Sequence, residues 1–138
     1  MIAMDYYPTL LELAGLELPS SVKSSMDGVS LLPLLKGEKE IDREAIFWHY
    51  PHYHTQGAKP YSAVRKGDWK LIRQFENDFY ELYNLKSDVS ENNNVLAEYP
   101  EKVEELKTLL YQWYSEVDAQ FAVDNPNYDS NKHDQILK

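Results

Sequence analysis

The sequence predicts an α+β fold: a small antiparallel sheet of three to four strands packed against a long C-terminal helix, preceded by short N-terminal helices. Three observations carry this. Between residues 45 and 85, short runs of aromatic and β-branched residues alternate with turn-forming pairs. Beyond Pro100, apolar residues recur every third or fourth position. Before residue 40, two brief leucine-rich runs each stop at a glycine.

Taken in order, Asp5-Tyr6-Tyr7-Pro8-Thr9-Leu10-Leu11-Glu12-Leu13-Ala14-Gly15 reads as a helix over 5–14. Pro8 falls in its first turn, where a missing N–H is harmless, Leu10, Leu11, Leu13 and Ala14 give the apolar side, and Gly15 is the stop. The Ser- and Pro-containing stretch 16–30 reads as a loop, and 31–35 as one helical turn halted by Lys36-Gly37. Glu38–Arg43 is a charged, solvated connection. Residues 45–50 form a strand ending at Pro51, and residues 61–66 meet 68–75 across a hairpin turn at Lys66-Gly67. A turn at Asn77-Asp78 leads to a further strand over 79–85, and 86–94 is a polar loop.

The last element is the most strongly patterned. Val103, Leu106, Leu109, Leu110, Trp113, Tyr114 and Val117 line one face of a helix beginning after Pro100, with Glu101, Glu104 and Glu105 in its first turns, where the helix dipole favours acid. Residues 1–123 therefore make up one folded subdomain, and 124–138, rich in Asn, Asp and Ser with no apolar period, an irregular or disordered tail.

Composition narrows the function. A net charge of −9 argues against nucleic acid and against anionic membrane surfaces, both of which need clustered Lys and Arg. No stretch reaches the roughly 18 consecutive apolar residues of a membrane span, and Met1–Met4 runs directly into Asp5 without the apolar core of a signal peptide. With no cysteine, disulfides, Cys-ligated zinc and a Cys nucleophile are excluded. The compartment stays open, since the lack of cysteine leaves a periplasmic or secreted location possible.

Three of the four histidines fall within H-Y-P-H-Y-H, as His49, His52 and His54. In extended chain, positions 52 and 54 share a side and 49 takes the other. Imidazoles ligate metals, move protons or donate to anions. Metal binding, ligand contact at a pocket rim and a structural role are all open for them. Arg65 and Lys66, with Lys70, concentrate cations beside Trp69 at a tight turn, an arrangement suited to a sulfate or a sugar acid or simply to a solvated hairpin. Trp69, spaced with Leu71, reads as a core residue. Ser62 lacks the strand–turn–helix frame of a nucleophile, and Asp124-Asn125, a pair of hard oxygen donors, falls in the tail.

Six segments in order resemble the C-terminal subdomain of the type I, arylsulfatase-like sulfatases: D-Y-Y-P-T-L-L-E-L-A-G at 5–15, D-G-V-S-L-L-P-L-L-K-G at 27–37, F-W-H-Y-P-H-Y at 47–53, A-V-R-K-G-D-W-K-L-I at 63–72, E-L-Y-N-L-K-S-D at 81–88 and E-N-N-N-V-L at 91–96. The resemblance implies hydrolysis of sulfate esters by a longer protein whose catalytic domain precedes these residues. It implies a formylglycine, made from Cys or Ser in a C/S-x-P-x-R motif, and a divalent cation, usually calcium. No such motif occurs in the 138 residues, so the chain itself is expected to carry no catalytic residue, metal or cofactor. It is expected to complete the fold and to line the substrate pocket, with His49, His52, His54, Arg65 and Lys66 as candidate contacts to a sulfated small molecule or glycan. Its partner is then the N-terminal catalytic domain, and without it the exposed interface predicts self-association. A stand-alone module binding sulfated or acidic glycans is the alternative, and a small His-dependent metalloprotein a weaker third.

Overall fold

The computed structural model describes residues 2–23, 26–54, 57, 59–123 and 126–127, which fall into two compact units, 1–44 and 45–138. In the first unit a 3₁₀ turn at Ala3–Asp5 runs into α1 (Tyr6–Leu13), followed by the single turns α2 (Ser20–Lys23) and α3 (Leu32–Leu35). Gly15, at φ +67°, closes α1: its N–H reaches the Glu12 carbonyl, and the Leu16 N–H reaches that of Leu11. The α2 turn lies in the stretch expected to be a loop. Pro19 starts it by offering its carbonyl to the N–H groups of Val22 and Lys23.

The face of α1 that is buried differs from the leucine side anticipated. Pro8 and Thr9 are buried, while Leu10 and Leu13 stay exposed. The unit is held by polar contacts instead. Thr9 Oγ1 donates to the Asp5 carbonyl at 2.6 Å and accepts the Leu31 N–H at 2.9 Å. Fully buried Asp5 accepts from the N–H groups of Ile2 and Val29 and pairs with both terminal nitrogens of Arg43.

The second unit is a four-stranded antiparallel meander, β1 (Ile46–Tyr50), β2 (Tyr61–Lys66), β3 (Trp69–Gln74) and β4 (Phe79–Asn84), in that spatial order, followed by α4 (Pro100–Glu116). The predicted α+β class and all its strands are present. Register places Phe47, Val64, Leu71 and Leu82 in one row across the sheet. This row meets Val103, Leu106, Leu110 and Tyr114 of α4, spaced three and four apart, to form the core. Phe47 stacks on Trp113 with ring centroids 4.9 Å apart, and Trp69 packs against the core and against Tyr99. Among the described residues, no helix is long and apolar enough to cross a membrane.

Candidate functional site

In a meander, the first and third connections lie at the same end of the sheet and the second at the other. Residues 51–60, which join β1 to β2, therefore neighbour the turn at 75–78 between β3 and β4, and the Phe75 N–H bonds the Pro60 carbonyl at 3.1 Å. The Gly67-Asp68 turn sits at the opposite end. This topology sorts the candidate residues into three places.

His49 lies on the α4 side of β1. Its Nδ1 is 2.6 Å from Ser62 Oγ and its Nε2 is 2.7 Å from the Gln120 carbonyl. A carbonyl only accepts, so Nε2 carries a proton, and in that tautomer of the ring Nδ1 accepts a hydrogen bond from the Ser62 hydroxyl. The rings of Phe75, Trp113, Tyr114 and Phe121 surround it edge-on. Ser62, fully buried, thus serves as a donor to this imidazole.

His52 and His54 lie at the β1 end of the 51–60 connection and both are exposed. Their rings gather around Tyr50, with centroids 5.8 Å and 6.3 Å away, and Tyr61 stands 6.3 Å from the same ring. Alternation along β1 turns Tyr50 to the sheet face away from α4, opposite to His49. On that face an open depression of about 430 Å³ is lined by Gly57, Lys59, Tyr61, Lys70, Ile72 and Gln74. Lys70 Nζ is held at 2.7 Å from each oxygen of Glu91.

Arg65 and Lys66 lie at the far end of β2. Arg65 is four positions beyond Tyr61, a distance of about 13 Å along a strand. Its Nε donates to the Gly67 carbonyl, and Lys66 pairs with Glu105 at 3.3 Å. The five candidates therefore do not converge: His52 and His54 form a pair, His49 lies behind them, and the two cations are at the other end of the sheet.

Three residues not singled out from the sequence, Tyr53, Lys59 and Glu76, belong beside the histidine pair. Tyr53 Oη donates to Glu76 Oε1 at 2.9 Å, and Lys59 Nζ stands 2.6 Å from Glu76 Oε2. Lys59 first, then Tyr53, hold the Glu76 carboxyl below the usual glutamate range, and Glu76 raises Lys59 in turn. The meander topology was the available signal, because it makes 51–60 and 75–78 neighbours. Further along the same end, the Arg73 guanidinium lies over the rings of Phe75, Tyr80 and Tyr111, at 5.3 to 5.9 Å, and bonds Asp78. Among the described residues, no group of three or more His, Asp or Glu side chains converges as a metal site requires. Asp124-Asn125 lies outside the described residues, so no residue here is assigned to a divalent cation.

An antiparallel meander covered on one face by a single long helix, with short helices before it, is the architecture expected from the resemblance to the sulfatase C-terminal subdomain. Residues 1–121 match the family described as N-sulphoglucosamine sulphohydrolase, C-terminal, and the chain belongs to it. It is 40% identical over 104 residues to a sulfatase of Formosa agariphila, covering 70% of this chain and 19% of that protein. It is 34% identical over 131 residues to an N-acetylglucosamine-6-O-sulfatase of Bacteroides thetaiotaomicron, covering 90% of this chain and 22% of that protein. A protein solved in complex with its substrate, D-glucosamine-2-N,6-O-disulfate, superposes with a TM-score of 0.67 at 36% identity, over 80% of this chain and 23% of that one. The chain thus spans about a fifth of the length of the relatives it matches.

Proposed function

We propose that this chain is the C-terminal portion of an enzyme that hydrolyses sulfate esters of glycans, completing the fold and lining one side of the substrate pocket. The observation that carries the reading is the match to sulfatases over nearly the whole chain but only about a fifth of their length. The formylglycine, the divalent cation (usually calcium in such enzymes) and the groups that grip sulfate would belong to the preceding catalytic domain. Residues 1–123 act as the subdomain, with 124–138 beyond it. The exposed side chains of Tyr6, Tyr7, Leu10 and Leu13 on α1 suit a surface that the catalytic domain covers, and support self-association in its absence.

Among the candidate contacts, the geometry favours His52 and His54. Both are exposed, both flank Tyr50, and an imidazole donates well to a sugar hydroxyl or a sulfate oxygen. His49 is not favoured as a contact, since both its nitrogens are engaged within the chain. Sulfated amino sugars are the favoured substrate class, because one relative is an N-acetylglucosamine-6-O-sulfatase and one similar structure holds D-glucosamine-2-N,6-O-disulfate as its substrate.

The test is release of inorganic sulfate from a panel of sulfated mono- and disaccharides by the native polypeptide and by the 138-residue chain alone. Turnover by the former and none by the latter is expected. Sulfate release by the chain alone, or none by the native polypeptide on any member, contradicts the reading. Glycan binding by a chain that exists on its own would favour a binding module.

A further inference from the structure

We infer that Glu76 is a positioning residue for the histidine pair: its carboxylate ties down Tyr53 and Lys59, and so sets where His52 and His54 stand. The inference rests on the proposed role of those histidines as substrate contacts.

Glu76 belongs to the turn after β3, yet it bonds two side chains of the connection after β1, six residues apart. Its two oxygens are divided between them, Oε1 to the Tyr53 hydroxyl and Oε2 to the Lys59 ammonium. The Phe75–Pro60 backbone bond next to it keeps the turn and the connection in register. Tyr53 lies between the two histidines in the chain, just beyond the end of β1. Fixing its tip restrains the short backbone stretch from which His52 and His54 leave, and both rings approach Tyr50. An exposed ion pair of this kind contributes little to stability, and Glu76 is exposed, outside the core. Its consequence is local order. A misplacement of about 1 Å at a group that positions substrate, even one caused by a residue remote from the chemistry, is enough to weaken its contribution.

The test uses the native polypeptide that contains this chain, with Glu76→Ala, Glu76→Gln, His52→Ala and His54→Ala. The first readout needs no substrate: in ¹³C-histidine-labelled protein, Glu76→Ala should shift the imidazole resonances of His52 and His54 and leave that of His49 in place. The second is steady-state hydrolysis of N-acetylglucosamine 6-sulfate. Glu76→Ala should raise KM by about threefold or more with kcat retained, and the thermal midpoint should stay close to wild type. Glu76→Gln, which still accepts from Tyr53, should fall between. Unmoved His52 and His54 resonances overturn the inference outright. So does an unchanged KM in Glu76→Ala when the histidine variants raise it. Silent histidine variants with moved resonances sink the substrate-contact reading, and Glu76 then positions residues that bind nothing.

Discussion

His49 Nδ1 and Ser62 Oγ lie 2.6 Å apart across the β1–β2 pair, and the opposite nitrogen of the same ring reaches the Gln120 carbonyl at 2.7 Å. One imidazole thus joins the first strand pair to the segment that follows α4. Phe121, which this bond draws in, packs edge-on against His49, Phe75 and Tyr114. The histidine cluster is thereby divided by role, one member holding the sheet to its C-terminal strap while the others face the opposite side.

Replacing His49 by Phe keeps the ring volume but removes both bonds and leaves the buried Ser62 hydroxyl without its acceptor. A loss of about 1–3 kcal/mol is expected. Denaturant unfolding should show it, and Ser62→Ala combined with His49→Phe should cost less than the sum of the two single changes.

In the first unit, burial pushes the Asp5 carboxyl up, but the hydrogen bonds from Arg43, Ile2 and Val29 outweigh it and hold the group below its ordinary value. A carboxyl with a lowered folded-state pKa contributes stability that is complete above the unfolded value of about 3.9 and lost as pH falls through the folded one. Acid unfolding of this unit should therefore follow Asp5 protonation. Asp5→Asn should remove that part of the pH dependence and strand the Arg43 guanidinium, at a cost of about 3–5 kcal/mol. An unchanged acid-unfolding profile would contradict the assignment.

Gly28 approaches the backbone of Met4 so closely that a Cβ would lie 2.0 Å from its carbonyl oxygen. Gly28→Ala is expected to force the 3₁₀ turn and the 28–31 segment apart, destabilising by about 1–3 kcal/mol. Gly15→Ala, with nothing within 4 Å of the added carbon, should suffer only from its positive φ, by about 1 kcal/mol. Thermal midpoints of the two variants should rank accordingly.

Leu106 and Leu71 are fully buried at the contact of α4 with the sheet. Truncation of either to Ala should cost about 2–5 kcal/mol, whereas Val117→Ala, at the exposed end of the predicted apolar stripe, should cost well under 1 kcal/mol. Chemical denaturation distinguishes the two classes.

The sheet and α4 were legible because their signals are local. The β-prone runs Tyr61–Lys66 and Trp69–Gln74 with a glycine turn between them, and the Val103–Leu106–Leu110–Tyr114 spacing, each mark an element and its boundary. The buried face of α1 was not legible. Leu10 and Leu13 look like core by composition, yet they stay exposed while Thr9 and Asp5 are buried, bonded to Leu31 and Arg43 more than twenty residues away. The histidines were found by their clustering, but their division between two faces depends on Pro51 ending β1 and on Ser62 pairing with His49. Glu76 carried no signal of its own. Its partners come from another connection, and only the meander brings them together.

The central claim, that these residues are the end of a longer sulfatase, is tested most directly by the mass of the native polypeptide. An antibody raised against this chain should detect a band several times larger than 138 residues in the source cells, and the sequence upstream should contain a C/S-x-P-x-R motif. A single band at the size of the chain itself would contradict the account.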